Sequence, residues 1–437
     1  MQTNFSIAQL ADPHNASSEK ILRACVHCGF CTATCPTYVL LGDELDSPRG
    51  RIYLIKEMLE QGRAATADVV KHVDRCLSCL ACMTTCPSGV HYMHLVDHAR
   101  AHIDKTFNRP ALDKLMRAFV ANVLPHPMRL RVAMIAAVLA KPLAPLFELA
   151  GLKPLAAALR IAPRRTPIPM TPKGVKPAEG ERKGRVAILS GCANEALAPN
   201  ITQATIRVLN RHGVEAVIPE GEGCCGSLVH HMGREEEALA RARANVDAWT
   251  AEIEGQGLDA ILVTISGCGT TVKDYGFMLR TDPAYAEKAA KVSSLARDVS
   301  EYLAALPLKP GAAPGLTVAY HSACSLQHGQ RVTKEPKDIL SACGFTVKDV
   351  PEAHLCCGSA GTYNILQPEI AERLRARKVA NIEKTAPDVI AAGNIGCITQ
   401  IASGIGIPVV HTVELIDWAT GGPVPLPLEA RQREASA

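Results

Sequence analysis

The chain has 437 residues, of which 47% are hydrophobic, 4% aromatic and 21% charged, and its formal net charge is +4. This length allows two or three domains, and the hydrophobic content is sufficient to bury a core. Residues 1–20 are polar and lack the apolar stretch of a secretion signal. The 17 cysteines therefore indicate metal centres in a reducing compartment rather than disulfides.

Two cysteine runs in the first 90 residues share one spacing. Each follows the pattern C-x2-C-x2-C-x3-C with a proline next, at Cys25, Cys28, Cys31 and Cys35 and again at Cys76, Cys79, Cys82 and Cys86. This is the spacing of bacterial ferredoxins with two [4Fe-4S] clusters, in which the fourth cysteine of each run ligates the other cluster. We therefore predict one cluster on Cys25, Cys28, Cys31 and Cys86 and another on Cys76, Cys79, Cys82 and Cys35. Structural zinc is the weaker alternative, because zinc ligands usually form separated C-x2-C pairs.

Residues 105–185 are strongly basic, with sixteen Lys or Arg against four Asp or Glu. The segment predicts short amphipathic helices and then a proline-rich linker from Pro163 to Gly184, with helix breaks at Pro125, Pro127, Pro142, Pro145 and Pro154. Such helices either lie on an anionic membrane surface or pack between domains or against a partner. The longest apolar run, Val132 to Ala140, is too short to span a bilayer, so we expect no spanning helix. No nucleic-acid-binding module accompanies the charge, and we expect no nucleic-acid role.

Residues 185–437 contain an internal duplication. Each copy has one cysteine, a Cys-Cys-Gly (CCG) unit and a further cysteine, and the corresponding positions lie 132, 132 and 129 residues apart. The two sets are Cys192, Cys224, Cys225 and Cys268, and Cys324, Cys356, Cys357 and Cys397. Short apolar runs alternate with helical stretches such as 235–254 and 369–384, which predicts βαβ units with parallel sheets. Because ligands gather at the carboxyl ends of parallel strands, we expect these cysteines to converge on a metal site, and the alternative is buried structural thiols.

These patterns together predict an α+β multidomain protein. Residues 1–110 form a mostly helical ferredoxin-like domain with two [4Fe-4S] clusters, and residues 111–183 form basic amphipathic helices and the linker. The duplicated α/β CCG domain with parallel sheets follows, with its copies in residues 184–310 and 311–437.

Three N-terminal segments resemble one family closely. They are RACVHCGFCTATCPTY, DSPRGRIYLIKEML and HVDRCLSCLACMTTCPSGVHYMHLVDHAR. Together with the two CCG units, they are similar to the iron–sulfur subunit of bacterial glycolate oxidase over nearly the full length. The resemblance implies partnership with a flavin-binding catalytic subunit and a second flavoprotein-like subunit, with FAD only in these partners. It also implies a complex that oxidises glycolate to glyoxylate, acts less well on D-lactate, and attaches peripherally to the cytoplasmic face of the inner membrane.

The fused arrangement is shared with the anchoring subunit of anaerobic glycerol-3-phosphate dehydrogenase and with heterodisulfide reductase subunits. In heterodisulfide reductases each CCG unit ends in C-x2-C, whereas Ile265 and Asn394 occupy the earlier of those two positions here. This departure disfavours disulfide-reducing chemistry. A four-thiolate set could still hold a third [4Fe-4S] cluster or zinc, or remain empty, and the sequence leaves these alternatives open.

The sequence contains no G-x-G-x-x-G fingerprint after a strand and no nucleophile elbow. Oxidation of a hydroxy acid usually passes a hydride to a flavin or nicotinamide, so we expect that chemistry in another subunit and no catalytic residue in this chain. The chain would accept electrons from a partner's flavin and pass them through two clusters to a quinone or another acceptor. The alternatives are the iron–sulfur subunit of a glycerol-3-phosphate or lactate dehydrogenase, a heterodisulfide-reductase-like catalytic subunit, and a zinc scaffold. Arg49, Arg51 and Lys56 either balance the anionic clusters or are surface charges.

Overall fold

A computed structural model describes residues 1–162, 169–311 and 315–430. The predicted α+β multidomain class is confirmed: a helical N-terminal region precedes two small, mainly parallel sheets. The N-terminal region has a 3-10 turn at Glu44–Asp46 and seven helices, α1 to α7, at Ile7–Leu10, Pro13–Ala24, Pro36–Leu41, Pro48–Gln61, Ala67–Asp74, Ala81–Thr85 and Tyr92–Thr106.

Prolines and polar caps set where these helices begin. Helices α2 and α4 start at a proline, and the side chains of Asp12 and Ser47 accept hydrogen bonds from the first free N–H groups. Helices α2, α4, α5 and α7 then bury a common core, which includes Leu22, Ile55 and Leu95. The cysteine runs lie in the loops that this small helical core holds in place.

The basic segment forms four helices, α8 to α11, at Ala111–Val123, Pro127–Ala140, Ala144–Leu149 and Lys153–Ile161, with a 3-10 turn at Lys141–Leu143. The α-helix is interrupted at the predicted breaks near Pro142 and Pro145, where α9 ends at Ala140 and α10 begins at Ala144, although the 3-10 turn joins them into one helical run from Pro127 to Leu149. Both prolines lie in the first turn of a new helical element, where a missing N–H is tolerated. Residues 163–168 of the predicted linker lie outside the described residues.

The first sheet has the strand order β1-β3-β2-β4-β5. Its strands, β1 to β5, are Gly174–Lys176, Gly184–Leu189, Val214–Ile218, Ala260–Val263 and Ala296–Asp298. All its pairs are parallel except the edge pair of β1 with β3. The accompanying helices, α12 to α19, are Cys192–Leu197, Pro199–Arg211, Ser227–His230, Glu235–Glu254, Ser266–Lys273, Tyr275–Met278, Ala286–Leu295 and Val299–Ala304.

The second sheet repeats this arrangement with four parallel strands in the order β7-β6-β8-β9. Its strands, β6 to β9, are Thr317–His321, Thr346–Asp349, Val389–Ala392 and Val409–His411. A π-helical turn at Ser325–Gln330 and five helices, α20 to α24, complete the repeat at Glu335–Ala342, Tyr363–Leu366, Pro368–Glu383, Ile395–Ala402 and Thr412–Ala419. Strands β4 and β8 are buried along their full length, which is why their sequences read as continuous apolar runs.

The two repeats share one hydrophobic core. Val186 and Ile261 of the first sheet belong to the same buried cluster as Val389 and Val413 of the second repeat. Helix α24 packs on helix α13, where Nε of Arg207 lies 2.8 Å from the buried carboxylate of Asp417. The duplicated half therefore behaves as one packed body with two strand-end edges.

Candidate metal centres

The first ferredoxin set comprises Cys25, Cys28, Cys31 and Cys86. Cys25 follows helix α2 and Cys86 follows helix α6, and all four cysteines, together with Cys82 of the second set, line one cavity of about 30 Å³. Pro48, Ile52 and Tyr92 are among the other side chains that line it. The cavity thus brings Cys86 of the second run beside three cysteines of the first, which is the grouping that crossed ligation requires.

Backbone geometry shapes the loop of this set. Gly29 has φ +88°, and a Cβ there would collide with the guanidinium of Arg49. Burial raises the pKa of the Cys31 thiol to about 11, although the backbone N–H of Arg49 donates to this sulfur and opposes the increase. Arg49 therefore covers the loop and also donates a backbone hydrogen bond to one predicted ligand.

The second ferredoxin set comprises Cys35, Cys76, Cys79 and Cys82. Cys35 precedes the first residue of helix α3, and its thiol lies close enough to Cys79 and Cys82 to raise the pKa values of both, after the larger effect of burial. The backbone N–H of Ser78 and the hydroxyl of Tyr92 donate to Cys76 Sγ at 3.5 and 3.8 Å. The structure thus brings the eight predicted cysteines together in two adjacent groups, whose thiolates suit the iron of two clusters.

Arg51 is the principal charged neighbour of the second ferredoxin set. It is 1% exposed, and its Nη1 lies 3.7 Å from Cys35 Sγ, while Nη2 lies 3.2 Å from Oδ1 of the buried Asp46. Burial alone would lower the pKa of Arg51, but nearby Cys76, Tyr92, Cys35 and Asp46 outweigh it and raise the pKa. The sequence left two interpretations of Arg51 open. Its burial and its distance from Cys35 fit a positive charge that balances a cluster, and they do not fit a surface charge. Lys56, in contrast, pairs with Glu60 at 3.0 Å.

The first repeat set comprises Cys192, Cys224, Cys225 and Cys268, all buried. Cys192 follows strand β2 and Cys268 follows the neighbouring strand β4, so both lie at the carboxyl edge of the sheet. Hydrogen bonds from Cys192 and Cys225 lower the pKa of Cys224, and Cys225 also interacts with Cys268. The predicted convergence at the strand ends therefore occurs in this repeat.

The second repeat set comprises Cys324, Cys356, Cys357 and Cys397, which are also buried. The thiol of Cys356 interacts with those of Cys324 and Cys357, and Cys357 interacts with Cys397. In both repeats, the glycine of the CCG unit has a positive φ, and a Cβ there would press on a carbonyl of helix α15 in the first repeat and of helix α22 in the second. Cys79 packs against the cluster that contains Cys324 and Cys356, so this set adjoins the second ferredoxin set.

Two buried residues near the second repeat set were missed by the sequence analysis. His321 ends strand β6, and burial lowers the pKa of its imidazole to about 3. Lys378 of helix α22 is 2% exposed and lies near Cys324, Cys356 and Cys357. Comparison of the two repeats shows only that His321 stands where the first repeat, 132 residues earlier, has Leu189, and it does not by itself mark His321 as a ligand.

The positions of the absent fifth cysteines have local structural roles. The side chain of Asn394 accepts hydrogen bonds from the N–H groups of Gly396 and Cys397, and its amide donates to Ser266 Oγ at 2.9 Å. Asn394 therefore caps helix α23 and links the two repeats. Ile265 precedes helix α16 and contacts Gly191.

Helices α8 to α10 expose an extensive apolar surface. This apolar surface comprises Leu112, Leu115, Phe119, Met128, Val132, Ile135, Leu139, Leu143, Leu146 and Leu149. Among the described residues, Pro127–Leu149 is the one helical stretch long and apolar enough to cross a membrane by length and composition, and 11% of its most apolar window is buried. Four of its exposed side chains, at positions 128, 132, 135 and 139, share one helix face.

Comparison with known proteins identifies both halves of the chain. Residues 21–90 match the 4Fe-4S dicluster domain, and residues 186–273 and 318–402 each match the cysteine-rich domain. The chain is 44% identical over 420 residues to the glycolate oxidase iron-sulfur subunit of Escherichia coli, covering 96% of this chain and 99% of that protein. The chain belongs to the family of glycolate oxidase iron–sulfur subunits.

Two further relatives and one solved structure are also similar to the chain. A probable glycolate oxidase iron-sulfur subunit of Bacillus subtilis is 31% identical, covering 91% of this chain and 94% of the relative. Lactate utilization protein A of Bacillus licheniformis is 27% identical over 53% of this chain and 99% of its own length. A crystal structure of a hypothetical protein from Helicobacter pylori shares the fold, with a TM-score of 0.54, 8% identity and coverage of 95% of this chain and 74% of that one.

Proposed function

We propose that this chain is the electron-transfer subunit of a complex that oxidises glycolate to glyoxylate, with weaker activity on D-lactate. Support comes from the full-length similarity to the Escherichia coli subunit and from the 4Fe-4S domain. The observation that carries the proposal is the gathering of eight cysteines into two adjacent groups in the first 90 residues. When bound, two [4Fe-4S] clusters there supply carriers that accept and release one electron at a time.

The residues of this chain bind and tune these carriers rather than act on the substrate. Cys25, Cys28, Cys31 and Cys86 hold one cluster, and Cys35, Cys76, Cys79 and Cys82 hold the other. Arg51 supplies a buried positive charge beside the second ferredoxin set, and Tyr92 and Ser78 donate hydrogen bonds to Cys76. A protein sets the reduction potential of a cluster through such hydrogen-bond donors and charges and through the exclusion of water.

The partners in this proposal are a flavin-binding catalytic subunit and a second flavoprotein-like subunit, which carry the FAD. The electron acceptor is a membrane quinone or another carrier. The adjoining CCG half holds a further metal centre, either at the second repeat set or at the first repeat set. Eight buried thiols that converge at strand ends in two sets of four are better suited to binding a metal than to packing as separate structural thiols.

The proposal also includes peripheral attachment to the cytoplasmic face of the inner membrane. The apolar surface of helices α8 to α10 and the excess of basic residues in 105–185 support it. An exposed apolar face with basic flanks favours a helix that lies in the headgroup region. Because the stretch Pro127–Leu149 also meets the length criterion for a spanning helix, extraction from vesicles by carbonate separates the two modes of attachment.

Anaerobic purification of the chain with its co-purifying subunits tests the central proposal. We expect iron and acid-labile sulfide in this chain, flavin in its partners, and cluster reduction within the catalytic cycle after glycolate is added. D-lactate should reduce the clusters more slowly. A complex that lacks flavin, or clusters that glycerol 3-phosphate reduces and glycolate does not, would contradict the assignment.

A further inference from the structure

His321 is a buried polar side chain that its surroundings do not satisfy. It ends strand β6 at the carboxyl edge of the second sheet and is 1% exposed. Neither ring nitrogen has a hydrogen-bond partner among the residues that the structure describes. Buried polar atoms in native proteins almost always have a partner, so an imidazole without one indicates a ligand in its place.

Two thiols of the second repeat set face this imidazole. A ring nitrogen of His321 and the Sγ atoms of Cys357 and Cys397 all lie within 4.8 Å of one another, and all three residues are buried. In a tetrahedral site, bonds of about 2.0 to 2.3 Å place two ligand atoms roughly 3.3 to 3.8 Å apart, so side-chain rotations that bring these three atoms inward would close the set around one ion. In a cubane, each thiolate binds a different iron, which requires wider spacing than a single ion does.

Cys356 is the candidate for a fourth ligand, although its Sγ lies outside the group of three within 4.8 Å. Cys356 is adjacent to Cys357 in the chain, and its thiol interacts with that of Cys357. Three thiolates and one imidazole are a common tetrahedral donor set for structural zinc. The burial of all four residues leaves no open coordination position for substrate, which is typical of structural rather than catalytic zinc sites.

A buried cation balances the charge of such a site. A divalent ion with three thiolates and a neutral imidazole carries a net charge of −1. Lys378 is 2% exposed, and its ammonium lies near Cys324, Cys357 and Cys356 and donates to the Glu352 carbonyl at 2.9 Å. Because an unpaired buried ammonium is costly, its position beside the thiols fits a site with negative net charge.

The rest of the chain does not reproduce this site. In the first repeat, Leu189 occupies the position that corresponds to His321, which leaves four cysteines without an imidazole. Only one other set in the described part of the chain brings three such donors within 4.8 Å, namely Asp43, Asp46 and His72. There the Asp46 carboxylate already pairs with Arg51 and Arg75 and with the His72 ring, so that set is internally satisfied.

We infer that the second repeat binds a single zinc ion through His321, Cys356, Cys357 and Cys397. This inference rests on the proposed function only in that both place a metal in the CCG half. It goes further by naming which repeat binds the metal, which residues are the ligands and which ion is bound. Since zinc does not change its oxidation state, the site fixes the strand ends and helix α23 in place and is not an electron carrier.

The test is metal analysis of the full chain, purified with its partners, as wild type and as His321→Gln, His321→Cys and His212→Gln variants. His212 lies in the first repeat outside every cysteine set and is the matched control. We expect about one zinc per chain in the wild type and in His212→Gln, and its loss in His321→Gln, with iron and sulfide unchanged in all of them. X-ray absorption at the zinc edge should report one nitrogen and three sulfurs in the wild type.

The Cys variant keeps the inference testable if His321→Gln fails to fold. His321→Cys should retain zinc with four sulfur ligands. Zinc-free wild-type protein, iron in excess of two clusters, or an all-sulfur zinc shell in the wild type would overturn the inference. Failure of the proposed function would instead appear as clusters that glycolate cannot reduce, a readout that does not depend on the zinc content.

Discussion

At the scale of single residues, Cys35 decides how the two ferredoxin runs share their ligands. It belongs to the first run in sequence but lies beside Cys79 and Cys82, and its thiol contacts Thr37 at 3.2 Å. We predict that Cys35→Ser alters the electron paramagnetic resonance signal of the cluster on Cys76, Cys79 and Cys82. Cys343→Ala, which changes a buried cysteine outside every set, is the control. A change confined to the cluster on Cys25, Cys28 and Cys31 would show that ligation is not crossed.

Arg49 and Arg51 allow the two clusters to be tuned separately. Arg51 contacts Cys35, whereas Arg49 is one-third exposed and covers the loop at Gly29. Because a positive charge stabilises the more negative reduced cluster, we predict that Arg51→Gln lowers the potential of the second cluster by on the order of tens of millivolts. Arg49→Gln should affect the first cluster, and by less because solvent screens its charge. Redox titration followed by electron paramagnetic resonance measures the potentials of both clusters. Equal shifts of the two potentials in both variants would contradict separate tuning.

At the scale of elements, helix α9 presents the face that we expect to contact the membrane. Ile135 and Leu139 are 55% and 78% exposed on this face. Replacing both with Gln removes apolar area worth about 3 kcal/mol, so we predict at least a tenfold loss of binding to anionic liposomes in a flotation assay. Ile7→Gln, at an exposed position on helix α1, is the matched control. Undiminished binding would favour docking of this surface on a partner subunit.

The basic residues of the same segment are less suitable for such a test. Arg131 donates to the Glu195 carbonyl at 2.7 Å, and Lys141 donates to the Ala162 carbonyl at 2.8 Å. Neutralising either residue would therefore also remove an internal contact. High salt remains informative, because it weakens attraction to anionic lipids without changing the protein.

The elements with strong sequence signals were the ones predicted correctly. Helix α15 spans Glu235–Glu254 as predicted, and strand β8 at Val389–Ala392 is one of the short apolar runs, because a long periodic helix and a buried apolar strand are distinct patterns. Strands β5 and β9 have three residues each, and no run of that length can be told from a loop by sequence alone. They form because the sheet edge beside β4 or β8 supplies hydrogen-bond partners.

The sequence likewise predicted some residues of the candidate sites and not others. The two ferredoxin sets and the two repeat sets were predictable, because fixed cysteine spacing and a repeated unit are visible in the sequence. His321, Lys378 and the contact of Arg51 with Cys35 were not, since each depends on which side chains from distant elements meet in the interior. A single histidine or lysine carries no spacing signal of its own.

At the scale of the whole molecule, the chain is built to carry electrons and not to oxidise glycolate. Its sequence has no flavin fingerprint, and the buried acidic and basic groups around the ferredoxin sets, such as Asp46, pair with one another. We predict that the purified chain, free of flavin, reduces no dye with glycolate, and that activity appears only when the flavin-bearing partners are added. Turnover by the chain alone would contradict this assignment of roles.

The hydrophobic core that both repeats share has a consequence for how the duplicated half can change over time. Val186 and Val318 lie in one interior although they occupy corresponding positions of the two copies, so neither copy can be excised without exposing the other. Mutations that weaken one copy are felt by both, and calorimetry of the holoprotein should show the two copies melting together. Leu189 lies in that interior and its counterpart His321 is 1% exposed, so divergence between the copies has reached a buried strand end.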